Sequence, residues 1–199
     1  YQYKELTSIT DWNYCTEFNI ELTNDELFIL ISEYNNAFKY AYNNYLINQY
    51  KINKLAYKPL INDVIVFKEI KEWKKYTISE LMNIVNISKQ FKVNQSNNGV
   101  YPLITRFGEN NGITKYINDY SVESGYFTIA PSGGSTGHCF YHPYPIAVDG
   151  LLKILKLNES VNINPHLIAL LITYNLTKKY SYTNRLTINK LMNEVINIP

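Results

Sequence analysis

VYPLITRFGENNGITKYINDYSVESGYFTIAPSGGSTGHCFYHPYPIAVDGLLKI, residues Val100–Ile154, is the stretch that decides the fold. It is a series of short apolar runs separated by Gly, Asn and Pro, the pattern of brief strands joined by tight connections. Strands are expected over Tyr101–Thr105, Ile113–Ile117, Tyr126–Ala130, Cys139–Tyr141 and Leu151–Leu155. Between the first two, Asn111-Gly112 is a hairpin signal, because both residue types tolerate positive φ.

The flanks of this stretch change period. Upstream, Thr23 with Glu26 three residues later reads as a capping box. Leu27, Ile31, Tyr34, Phe38, Ala41, Tyr45 and Ile52 then recur at helical spacing, which predicts one long helix or two broken ones over about 24–55. Its many Asn residues are poor helix formers, so the helix needs a partner surface to hold it. Pro59 closes the region and Asn62-Asp63 marks a turn. A second capping box, Thr77 with Glu80, predicts a short helix through Leu81, Met82 and Ile84. Downstream, Asn164-Pro165 opens a helix as N-cap and first helical residue. This helix is apolar on most sides from His166 to Tyr174, so it should lie deep. Lys178 and Lys179 suit its C-terminal end, and the loop Tyr180–Arg185 leads to a last short helix near Ile188–Val195. The fold class is α/β or α+β: an irregular, twisted mixed sheet with a few packed helices and an N-terminal helical segment.

Across 199 residues, 46% hydrophobic and 18% charged is a globular balance, and it argues against disorder. Two cysteines, Cys15 and Cys139, exclude a disulfide framework and fit a reducing cytoplasm. No apolar run approaches a membrane span. The chain begins at Tyr1 without a signal-peptide pattern, as expected of a piece of a larger polypeptide. The net charge of +2 hides an asymmetry: residues 1–64 carry five Lys/Arg against eight Asp/Glu, and residues 65–199 fourteen against nine. The basic part suits contact with phosphates.

For chemistry, His138, Cys139 and His142 follow the loop Ser132–Gly137. A cysteine hydrolase needs a His oriented by a third group, and a structural zinc site needs four ligands; neither set is visible. The loop lacks the Lys of a P-loop and the spacing of a dinucleotide fingerprint. Its glycines allow a close approach either to a neighbouring strand or to a ligand.

Taken in order, a longer series of phrases resembles a known family. These are Trp73-Lys-Lys-Tyr-Thr-Ile-Ser-Glu-Leu81, Tyr101-Pro-Leu-Ile-Thr105, Asn110-Asn-Gly-Ile113 and Lys115-Tyr-Ile117. They continue with Tyr126–Gly137, Phe140-Tyr-His142, Pro145–Asp149, the Asn-Pro helix, Tyr180-Ser-Tyr182, Leu186–Leu191 and Ile198-Pro199. Over about residues 68–199 the chain is similar to the target recognition domain of restriction–modification specificity subunits, of type I or of the type IIG/BcgI kind. Where that family often has a glycine after the aromatic pair, this chain has Thr183-Asn184-Arg185.

The resemblance implies a non-catalytic module, residues 65–199, preceded by a helical extension or spacer, 1–64. It implies that the module reads double-stranded DNA for a partner or fused adenine methyltransferase, alongside a restriction subunit. S-adenosylmethionine belongs to the methyltransferase, and no cofactor to this chain. It also implies roles for particular side chains. Arg106 and Arg185 suit guanine, and Asn110, Asn111 and Asn184 suit adenine. Lys89, Lys92, Lys115, Lys178 and Lys179 suit phosphates. Ser132, Gly133 and Ser135 would approach the DNA backbone, with His138, Tyr180 and Tyr182 as further contacts. Three other readings stay open. One is a winged helix built on Ile163–Pro199, with its wing at Lys178–Arg185. The others are a hydrolase using Cys139 and a structural partner that docks through the helix 24–55.

Overall fold

The computed structural model describes residues 22–54, 58–94 and 99–199; Cys15 lies outside them. Helix α1, Asn24–Asn53, is a single uninterrupted helix. Its start is fixed as the spacing predicts: the Thr23 hydroxyl accepts from the Glu26 N–H, and the Glu26 carboxylate accepts from the Thr23 N–H. Its end is the left-handed Lys54.

The asparagines of α1 explain how a weak helix former is kept helical. The Asn35 side chain donates to the Ile65 carbonyl at 2.8 Å and accepts from the Ile65 N–H at 3.0 Å. Asn43 brackets Leu60 in the same way, the Asn24 side chain accepts from the Ile70 N–H, and Asn48 donates to the Gly99 carbonyl. The first three amides satisfy backbone groups of 60–70, which pairs with no strand and where a buried group left unmade would cost about 1–3 kcal/mol.

The middle and end of the chain form three small sheets. Strands β1 (Lys74–Thr77) and β9 (Val195–Ile198) pair antiparallel. A four-stranded antiparallel sheet has the order β2 (Met82–Val85), β8 (Lys153–Leu157), β5 (Tyr126–Ile129), β6 (Cys139–His142). A three-stranded sheet has the order β4 (Ile113–Ile117), β3 (Tyr101–Ile104), β7 (Ala147–Val148), with β3 and β7 parallel. Helix α2 is a single turn, Ile78–Leu81; α3 is Pro165–Lys179 and α4 is Ile188–Asn193.

The α/β class holds, but the sheet is divided rather than single, and several predicted bounds move. The helix expected to run through Met82 and Ile84 stops at Leu81, because Met82–Val85 pairs with β8. The last helix ends at Asn193, and Val195 opens β9. The Asn-Gly turn is not a two-residue hairpin. Asn110, Asn111 and Gly112 take φ of 50°, 53° and 75° in one short 3₁₀ turn that ends a longer loop after β3.

The four-stranded sheet is apolar on both faces, as strict alternation along β5 and β8 requires. Phe127, Ile129 and Leu155 pack with α3, whose Ile168, Ala169, Leu171, Ile172 and Leu176 are buried. On the other face, Ile154 and Ala130 meet Ile104, Ile113 and Val148 of the three-stranded sheet. Helix α1 is tied to both layers by rings. Tyr34, Phe38, Tyr42 and Tyr45 stack in series along it. Phe38 meets the His166 ring edge-on at 4.4 Å, and Tyr45 stacks on Tyr144 at 4.4 Å. Such pairs contribute about 0.5–1.5 kcal/mol each beyond area burial.

Candidate nucleic-acid interface

The site is built at the end of the molecule where three connections meet: 105–112 after β3, 131–138 between β5 and β6, and 180–186 after α3. The β5–β6 connection is closed by Gly137 N–H donating to the Ala130 carbonyl and Ala130 N–H to the His138 carbonyl. Arg106 reaches it from the first loop, with Nη1 donating to the Ser132 hydroxyl at 3.1 Å. Gly108 lies so close that a side chain there would meet Ser135 Oγ at 3.0 Å and His138 Nε2 at 3.3 Å. The third loop is attached by a main-chain hydrogen bond, Leu186 N–H to the Pro131 carbonyl at 3.0 Å. Arg106, Ser132, Gly133, Ser135 and His138 are therefore brought together, with Arg185 one residue from the tie.

Within the third loop, duties are divided. Asn184 is consumed in shaping it: its amide donates to the Lys179 carbonyl and accepts from Lys190. Tyr182 and Arg185 are left exposed at its surface.

Several expected contacts are taken inside instead. Asn111 is buried, and its amide nitrogen lies 2.9 Å from the Tyr144 hydroxyl, 3.2 Å from the Tyr141 carbonyl and 3.3 Å from His142 Nδ1. It is a brace for the hairpin, not a group free for a base. Tyr180 is also buried, with its hydroxyl donating to Glu194 at 2.5 Å; burial, and then that carboxylate, push its phenol up. Lys179 pairs with Glu194 at 2.8 Å in a half-buried site. Both residues anchor β9, so neither is available to a ligand. Asn110 is half-buried, donating to the Ile113 carbonyl. Lys178 is exposed with its ammonium 3.5 Å from the Tyr174 ring centre.

Lys89 and Lys115 lie outside these three loops: Lys89, in the connection after β2, pairs with Asp119 just past β4, and Lys115 stands opposite Leu103 on β4. Lys92 is exposed just past Phe91, which bridges to Asp149 beside β7. Sequence reasoning passed over Phe107, an apolar ring 44% exposed on the first loop next to Arg106. It also did not single out Gly134, exposed at the tip of the second, from the other glycines of that loop. Neither sits in a periodic pattern that would single it out.

The histidine and cysteine chemistry is interior. His142 is fully buried, accepts at Nδ1 from Asn111 and places Nε2 2.9 Å from the Thr128 hydroxyl; burial pushes its imidazole down to about 3. His166 lies 3.0 Å from the Tyr34 hydroxyl and is pushed down to about 4 by burial. The Cys139 thiol is buried and pushed up by desolvation, the opposite of an activated nucleophile. Its backbone is paired on both sides with the Thr173 hydroxyl. A winged helix is equally absent from 163–199, where α4 has only six residues and β9 pairs with β1 instead of forming a wing.

The profile of the type I restriction modification DNA specificity domain family matches residues 70–199. The chain belongs to this family. The fold of this specificity domain is similar to that of a type I restriction-modification S subunit from M. genitalium. That likeness has a TM-score of 0.51 and 16% identity, and covers 88% of this chain and 45% of that one. An HsdS subunit from Thermoanaerobacter tengcongensis is 12% identical with a TM-score of 0.45, over 88% of this chain and 43% of the other. The chain thus spans less than half the length of these subunits. No curated protein matches the sequence. Among the described residues, no helix is long and apolar enough to cross a membrane.

Proposed function

We propose that this specificity domain docks on duplex DNA with the end formed by loops 105–112, 131–138 and 180–186. There it chooses the site at which an adenine methyltransferase, fused or in a partner chain, acts. Residues 65–199 are the reading unit and 1–64 an extension whose helix α1 braces it. The methyltransferase brings S-adenosylmethionine and this chain brings no cofactor; a restriction subunit completes the assembly, which works in the cytoplasm. Catalysis lies with those partners.

The observation that carries this reading is the junction of the three loops. The Arg106–Ser132 contact and the Leu186–Pro131 main-chain bond put two arginines, an exposed tyrosine and a glycine turn at one end of the molecule. Arginine suits both duties: a fork on a guanine edge reads sequence, and a contact to phosphate oxygens sets register without sequence preference.

The test is a salt titration of duplex affinity with the partner methyltransferase present. The logarithm of affinity should fall linearly with the logarithm of salt, with a slope of about 0.9 per phosphate contacted. Salt-insensitive binding, or none, refutes the reading.

A further inference from the structure

The loop 131–138 contains three glycines, and the fold accounts for two of them. Gly133 has φ 96°, a conformation that side chains rarely adopt. Gly137 has φ 89°, and a Cβ there would come within 2.8 Å of the α3 backbone at Leu176 and Thr177. Gly134 has neither reason: its φ is not positive, and nothing lies within 4 Å of where its Cβ would stand. An unneeded glycine costs backbone entropy on folding, so its reason lies outside the folded chain.

The hydrogen bonds of the same loop are lopsided. The carbonyls of Ala130, Pro131, Gly133 and Ser135 all accept: from Gly137, Leu186, Thr136 and His138 respectively. The N–H groups of Ser132, Gly133, Gly134 and Ser135 donate to no other described residue. Four successive main-chain donors are thus left over beside the Arg106 guanidinium, which itself touches Ser132. No acidic residue occurs between Glu123 and Asp149. Surplus N–H groups in a turn, next to a fixed cation, are suited to an anion.

We propose that Ser132–Ser135 with Arg106 is a seat for one phosphate of the DNA backbone, and that Gly134 lacks a side chain so that this phosphate can approach. The assignment rests on the DNA-reading role above and adds a residue to it. A phosphate seat sets register and carries no base preference.

The experiment compares the full chain and its Gly134→Ala variant, with the methyltransferase partner, on two labelled duplexes of unrelated mixed sequence. Thermal melting should not fall and should rise slightly, since the added methyl enters open space and removes backbone freedom from the unfolded chain. Affinity for both duplexes should fall by about tenfold, and the salt slope should lose about one counterion. Amide hydrogen exchange gives a second readout: the Ser132–Ser135 N–H groups should exchange fast in the free protein and slow down on the duplex. Unchanged affinity and slope in Gly134→Ala, or no protection of these amides while wild type is bound, overturns the seat alone. Failure of wild type to bind either duplex overturns the DNA-reading role with it.

Discussion

Helix α1 and the three-loop site treat their polar groups in opposite ways. Along α1, Asn35 and Asn43 each spend both halves of an amide on the backbone of one neighbour, and Tyr34 is held against His166. At the loop end, Arg185 and Tyr182 stay exposed, and four main-chain N–H groups make no bond among the described residues. The difference teaches where to look for binding in a chain crowded with Asn and Tyr. Residue type does not decide it; commitment does. Asn111 and Asn184 sit in the loops yet behave like the helix asparagines.

If this contrast is right, damage to the committed groups along α1 should cost stability and damage to the exposed loop groups should cost recognition. The largest effect is expected for Phe38→Ala, which removes a buried ring from the aromatic series and its contact with His166. Unfolding free energy should fall by about 4 kcal/mol, measured by urea denaturation. A loss under about 1 kcal/mol would break the comparison.

Acid should also act on stability, through two buried histidines. His142 and His166 are held below the ordinary imidazole value near 6.5, at about 3 and about 4. The unfolded chain therefore binds protons that the folded chain refuses. This contribution is fully present above about pH 6.5 and is lost as pH falls toward about 4. For His166 alone it amounts to about 3 kcal/mol. Melting temperature against pH should drop over that window, and His166→Phe should flatten the drop. A melting curve indifferent to pH between 7 and 4 would refute it.

Asn35→Ala should follow, at about 2 kcal/mol, because it orphans both backbone groups of the buried Ile65. DNA affinity measured well below the melting point should remain.

Arg185→Ala sharpens the contrast from the other side. Melting should stay within about 0.5 kcal/mol of wild type. Discrimination at one base position, read by methylation of a randomised duplex library, should weaken by about 2 kcal/mol. Equal weakening at every position would make Arg185 a phosphate contact instead.

What was legible in the sequence follows from range. Thr23 with Glu26, Thr77 with Glu80, and Asn164 with Pro165 announce helix starts within a few residues, and all three caps form. Helix ends set by distant pairing were not legible. Met82–Val85 leaves the helix only because β8, some seventy residues on, offers a partner, and Lys74–Thr77 becomes a strand only through Val195–Ile198. The loop-end candidates Arg106, Ser132, Ser135 and His138 were readable as a group through the ordered phrases around them. Asn111 was not separable from them, because its burial depends on Tyr144 and His142 arriving from another layer. Gly133 and Gly134 look identical on paper; only φ and surrounding space distinguish them.

The tie between Pro131 and Leu186 joins carbonyl to amide and asks nothing of either side chain. A descendant could therefore exchange the exposed Tyr182 or Arg185 and keep the two loops in register. New preferences could be tried on an unchanged frame, with a proline at 186, which has no N–H to give, among the few replacements that would let the loops drift apart.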